Sequence, residues 1–342
     1  MEFFNPNSNV DFMRIRRVSV VVALFLVIGS IVTLATKGLN FALDFTGGTL
    51  VEVEFDRPVS QSQVQEALSA AGLEGAMVQG FDVSSYAIRL PPSEGGSTQA
   101  ETDAAAAAAE SAAAETGVPV APGGELDARN AAVAARVVEA LAATGAEVTV
   151  LGGGFVGPQV GQELATNGLI AVLVVITGIV IYIAMRFEWK FGIATVVGEI
   201  HDVVVTLGIF ALTGRDFDLV VLAAVLAVDG YSVNDKIVVF DRVRELFRNT
   251  TKLSPAEVVN RAINSTLSRT IMTAVTTLLT VVSLYVFGGP TLQGFALVII
   301  IGIIVGTLST IFLSAPLLLR LGVAKQDLLP KARDEAELAR RP

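Results

Sequence analysis

Apolar runs of membrane-spanning length recur along this chain. A helix needs about 20 mostly apolar residues to cross a bilayer. Six stretches qualify: 18–36, 164–185, 191–212, 217–240, 269–287 and 292–319. Turn signals separate the later ones at 186–190, at 213–216 and at Gly288-Gly289-Pro290. The first run follows Arg14, Arg16 and Arg17, as the core of a secretory signal would. It is long for such a core, however, and no small-residue cleavage pattern follows. It therefore reads as an uncleaved spanning helix.

Between the first two runs the periodicity changes. Residues 49–55 (TLVEVEF) alternate like a half-buried strand. Ser60 follows Pro58-Val59 and reads as the N-cap of a helix reaching about Ala71. Strands are expected at 75–81 and 84–90, a second helix at 128–143 and a last strand at 146–155. The order βαββαβ predicts a ferredoxin-like α+β domain within 37–163. Residues 91–127 interrupt it with an Ala-, Gly-, Ser-, Pro- and Glu-rich insert that includes Ala104 to Ala109. Such a stretch cannot bury a core. It reads as a surface insertion, with a partner-binding arm as the alternative.

Basic residues set the orientation. Arg14, Arg16 and Arg17 precede the first span. Arg242, Arg244, Arg248, Lys252 and Arg261 lie between the fourth and fifth, and Arg320, Lys325, Lys331, Arg333, Arg340 and Arg341 close the chain. Six spans put all three groups on one side, which the positive-inside rule makes the cytoplasm. Residues 1–17 and 321–342 are then cytoplasmic, 164–320 hold spans two to six, and 37–163 face outward. That outward stretch carries 5 basic and 17 acidic residues, whereas the whole chain has a net charge of −9. The remainder is slightly basic.

Composition agrees with a membrane protein. Hydrophobic residues make up 52% and charged residues 17%, against about 25% charged in soluble domains. An ordinary soluble enzyme and a basic nucleic-acid binder are both excluded. Without cysteine there is no disulfide, thiolate nucleophile or Cys-ligated metal. His201 is the only histidine, so a His-cluster metal site within the chain is excluded. Gly152-Gly153-Gly154 is not followed by the Gly-Lys-Ser/Thr of a phosphate loop. No cofactor is expected beyond protons as a coupling ion.

The candidate chemistry lies in three consecutive spans. Ionisable side chains inside spanning helices are costly and mark functional paths by default. The third span carries Glu199, His201 and Asp202, the fourth Asp229, Asp235 and Lys236, and the fifth opens on Arg269. At about 100° per residue, Asp229 and Asp235 lie about 240° apart and cannot share one narrow face. A carboxyl held out of water can be made to exchange its proton near neutral pH, as a proton carrier must. The alternative is permanent pairing with Lys236 or Arg269. Asp241, in the run Asp241-Arg242-Val243-Arg244-Glu245, reads as a solvated interfacial charge. Thr273, Thr276, Thr277 and Thr280 form a hydroxyl stripe, either a wet path or interhelical glue. His201-Asp202 reads as a proton relay or as a structural hydrogen bond between helices. Gly302, Gly306 and Ser309 suggest close helix packing.

Longer motifs carry a resemblance. Asn9-Val10-Asp11-Phe12-Met13, Leu43-Asp44-Phe45-Thr46-Gly47-Gly48-Thr49 and Gly157-Pro158-Gln159-Val160-Gly161 frame the outward stretch. His201-Asp202 follows, then the run from Gly230 through Asn234, Asp235 and Lys236 to Glu245, then Asn264 to Thr270. In this order the chain resembles the SecF family of bacterial Sec protein export, outside the insert. The resemblance implies half of a resistance-nodulation-division transporter: six transmembrane helices in a 1+5 arrangement, with the α+β domain between the first two. It implies a SecD-like partner in the inner membrane, supplying a further aspartate. It also implies work with the SecYEG channel on secreted polypeptides after the SecA motor, driven by inward proton flow. The family's proton path falls on the aspartate of Asn234-Asp235 and on Arg269. Asp229 and Glu199 depart from the family pattern; they extend the relay or pair with Lys236 or with each other. Two other readings remain: a small-molecule exporter of the same superfamily, which needs an apolar pocket in the outward region, and a non-transporting assembly scaffold.

Overall fold

The computed structural model describes residues 10–73, 75–81, 83–91, 128–250 and 253–325. The insert expected at 91–127 thus lies, from residue 92 onward, outside the described residues, as does the tail from 326. The chain forms two compact units. One comprises Met1–Asn40, Ala171–Gly214 and Val220–Pro342; the other comprises Phe41–Ile170 and Arg215–Leu219.

The second unit is built on an antiparallel four-stranded sheet. Its strands are β2 (Gly48–Phe55), β3 (Met77–Gly80), β4 (Ser85–Leu90) and β5 (Val148–Val156), in the order β3-β4-β2-β5. Helices α3 (Gln61–Ala70) and α4 (Ala128–Leu141) supply its apolar faces. Alternation puts Val51, Val53 and Phe55 of β2 inward, where they meet Ile88, Val150, Leu68 and Leu141. Ser60 caps α3 in a reciprocal capping box with Gln63. The glycine triplet is part of β5, where Gly153 pairs with Val51.

A second, two-stranded pairing joins β1 (Asn40–Phe41) to β6 (Asp216–Phe217). The short helix α2 (Leu43–Thr46) lies between β1 and β2. Ala42 N–H donates to the Phe217 carbonyl at 2.9 Å, and Phe41, Phe45 and Phe217 cluster through their rings. Gly47 and Gly48 follow with φ of 69° and 125°. A Cβ on Gly48 would lie 2.4 Å from the Leu90 carbonyl oxygen, so only glycine lets β2 start here.

The other unit is helical. Its helices are α1 (Arg16–Thr36), most of α5 (Pro158–Arg186), α6 (Trp189–Thr213), α7 (Leu219–Asn249), α8 (Pro255–Phe287), α9 (Gly289–Ser309) and α10 (Ala315–Arg320). Among the described residues, five segments are long and apolar enough to cross a membrane: Phe12–Thr36, Pro158–Arg186, Trp189–Thr213, Pro255–Phe287 and Leu292–Arg320. The sixth expected span, α7, does not meet that measure, although it is a 31-residue helix. Its Asp229, Asp235 and Lys236, together with the charged end from Asp241 to Arg248, lower its hydropathy. A π-helical turn (Thr310–Ser314) joins α9 to α10 just before Pro316, which has no N–H to give. An aromatic core of Phe187, Phe191, Phe240 and Phe247 sits at the charged end of α7.

Candidate functional site: a buried ionisable cluster

Lys236 is fully buried on α7. Its Nζ donates to Asp202 Oδ2 and to Ser232 Oγ, each at 2.6 Å, and pairs with Glu199 Oε1 at 2.7 Å. Gly198 makes room for it: a Cβ there would lie 2.5 Å from Lys236 Cε and 2.3 Å from Ser314 Oγ. Asp202 is saturated. Besides Lys236, its Oδ2 accepts from Ser232 at 2.6 Å and from Ser309 at 2.7 Å, and Oδ1 meets His201 Nδ1 at 2.8 Å. The far ring nitrogen of His201, Nε2, is buried with no partner among the described residues. Asp229 is buried beside Glu199.

Asp235 faces another way. Its Oδ1 accepts from Thr270 Oγ1 of α8 at 2.6 Å, while Oδ2 is buried without a hydrogen bond of good geometry, with Thr310 beside the carboxyl. This is the angular separation that the helix period requires: Asp229 meets α6 and Asp235 meets α8. Among the described residues, four buried carboxyls (Glu199, Asp202, Asp229 and Asp235) thus accompany one buried lysine. An ionised carboxyl in dry surroundings is costly unless it is paired and hydrogen-bonded.

The structure brings together Glu199, His201, Asp202, Asp229 and Lys236, with Asp235 on the other side of α7. It does not bring Arg269 to Asp235. Arg269 is exposed, and the next residue, Thr270, makes the contact. Asn234 and Thr273 are also exposed. The threonine stripe bonds to its own helix: Thr273, Thr276, Thr277 and Thr280 each donate to a carbonyl of α8. Tyr231 of α7 stands beside Thr273 and Thr277. Asp241 pairs at its helix end with Arg186 and Arg244, in partial contact with solvent.

Ser232, Thr270, Ser309 and Thr310 are the residues that sequence reasoning missed. Ser309 is more than a packing residue, because it donates to Asp202. Gly302 and Gly306 do allow close packing, of α9 on Val228 and Ser232 of α7. Ser232 carried a usable signal, lying one helical turn before Lys236. The others had none, since hydroxyls are common in spanning helices.

Fold and site together define a multi-pass helical membrane protein with an ionisable cluster buried among its helices. The C-terminal model of SecD/SecF protein-export membrane proteins matches residues 136–324, and the SecD/SecF GG motif matches residues 32–59. The SecF translocase subunit of Vibrio alginolyticus is 38% identical over 96% of this chain and 95% of its own length. That of Desulfurispirillum indicum is 41% identical over 90% of each. The crystal structure of SecDF from Thermus thermophilus, a translocon-associated membrane protein, superposes with a TM-score of 0.75 at 33% identity. It covers 93% of this chain, which spans 39% of that longer one. The chain belongs to the SecF family.

Proposed function

We propose that this chain is the SecF-type half of a proton-coupled export complex in the inner membrane. A SecD-like subunit completes it, and it acts on secreted polypeptides leaving the SecYEG channel. In this reading α7 is the sixth span, giving a 1+5 arrangement. The reading is supported by length, since 31 residues reach about 46 Å and a hydrocarbon core is about 30 Å. Its interior charges also find partners from α6 and α8, as a polar spanning helix needs. The unit carrying the four-stranded sheet is the outward ferredoxin-like domain; a strand order of β3-β4-β2-β5 supports that assignment. Both termini are cytoplasmic.

The observation that carries the proposal is the Asp235 carboxyl, buried at the contact of α7 with α8 with one oxygen left free. Asp235 binds and releases a proton. Each change of its charge alters the Thr270 contact and so the packing of α8 on α7. Arg269, one residue away, approaches the carboxyl in another state of the cycle and favours its ionised form. One charge moving down 100 mV releases about 2.3 kcal/mol, so several protons are used per cycle or the complex rectifies diffusion.

The test is secretion in cells depleted of this subunit and rescued with wild type or Asp235→Asn, with association to the SecD-like partner measured in parallel. Export fails with an intact complex if the proposal holds. Normal export with the asparagine would favour the scaffold reading.

A further inference from the structure

We propose that a cleft at the basic end of the helices binds the headgroup of an anionic phospholipid. The cleft has a volume of about 500 Å³ and lies between the start of α1, the start of α8 and the end of α10. It is lined by Arg16, Arg17 and Arg320, with Val20, Pro316 and Leu319 as its apolar wall. This inference rests on the membrane reading of these helices and not on proton coupling.

Two observations set this place apart. The first is charge. At the same end of the molecule Arg186, Arg242 and Arg244 are all paired with carboxylates. None of the three cleft arginines is ion-paired among the described residues. The nearby acid, Glu257, is committed elsewhere: its Oε2 accepts from both the N–H and the hydroxyl of Ser254 at 2.7 Å, capping α8. The second is rigidity. Asn260 Oδ1 accepts from Phe12 N–H at 2.9 Å, and Asn264 both donates to the Val10 carbonyl and accepts from its N–H at 2.9 Å. These asparagines tie the segment before α1 to the first turns of α8. Arg16 and Arg17 are thereby held against the start of that helix.

Three guanidiniums beside an apolar wall match a phosphodiester joined to acyl chains. Each guanidinium can bind phosphate oxygens in bidentate fashion, while Val20 and Leu319 meet hydrocarbon. A lipid with two phosphodiesters should bind best, because three cations exceed what one phosphate neutralises. Basic pockets between spanning helices are a known form of lipid recognition.

The test is native mass spectrometry of the full chain in mild detergent, titrated with cardiolipin, phosphatidylglycerol or phosphatidylcholine. Affinity should fall in that order. Arg17→Gln and Arg320→Gln should each weaken anionic lipid roughly fivefold and leave phosphatidylcholine unchanged. Arg242→Gln, which alters a paired arginine, should change neither. Displacement by millimolar inorganic phosphate would make this a soluble-anion site and overturn the proposal. So would lipid binding that emerges only when the chain is cut after Lys325, since Asp334, Glu335 and Glu337 of the tail would then be the occupant. A photoreactive cardiolipin on the unaltered chain provides a readout independent of mutant folding. Label on 16–20 or 254–256 supports the site, and label confined elsewhere overturns it.

Discussion

Lys236 determines what the buried acids of this protein can be. Asp202 and Glu199 both rely on its ammonium. Removing one partner of a buried ion pair costs about 3–5 kcal/mol, because the other charge is left without compensation. Lys236→Met should therefore lower the melting temperature of the purified chain sharply, and adding Glu199→Gln should recover part of the loss. An unchanged melting temperature would mean that the pair contributes no net stability. The ionisable members of this site were legible as charges inside apolar runs. Their pairings were not, because a partner depends on helix rotation and on which neighbour packs alongside. Arg269 illustrates the difference: it is next to the right residue in sequence but exposed, while Thr270 holds Asp235.

At the scale of elements, the chemistry of ends matters as much as that of middles. Asp44 lies in the Leu43-to-Thr49 motif, and its Oδ2 accepts from Leu219 N–H at 3.0 Å, at the first residue of α7. A carboxylate there satisfies an open N–H and complements the helix dipole. The neighbouring strand β6 is tied to β4 by the Arg89–Asp216 ion pair. Burial pushes the Asp216 carboxyl up to about 6 against the pull of Arg89, and Asp218 adds repulsion. The folded state therefore binds this proton more tightly than the unfolded chain, whose aspartates titrate near about 3.9. The contribution of Asp216 to stability should rise as pH falls through about 6 and level off below about 4. Melting curves of wild type and Asp216→Asn across that range check it; equal slopes would show that Asp216 is not the titrating group. Neither contact could be read from sequence, since Asp44 and Leu219 are 175 residues apart.

At the scale of the molecule, the absence of cysteine makes topology directly testable. Single cysteines at Ser69 and Asn249, both exposed, should be labelled from opposite sides of the membrane by an impermeant reagent. Ser69→Cys should react in intact spheroplasts and Asn249→Cys only in opened ones. Labelling from the same side would overturn the orientation drawn from the basic residues. The broad apolar surfaces of α1 and α5 are what lipid or a partner subunit would cover.

By itself the sequence determined most of the elements. Periods near 3.6 and 2, apolar runs of bilayer length, and a cap such as Ser60 act over a few residues, so local order encodes them. It also determined that charge is placed inside the helices, because composition alone makes that costly. Tertiary structure decided the rest: that Lys236 serves Asp202 and Glu199, that Ser309 donates to Asp202 and Thr270 to Asp235, and that Arg215–Leu219 belongs with the sheet unit. Those outcomes depend on which surfaces meet when helices pack, and close approaches such as Gly198 on Lys236 arise only then.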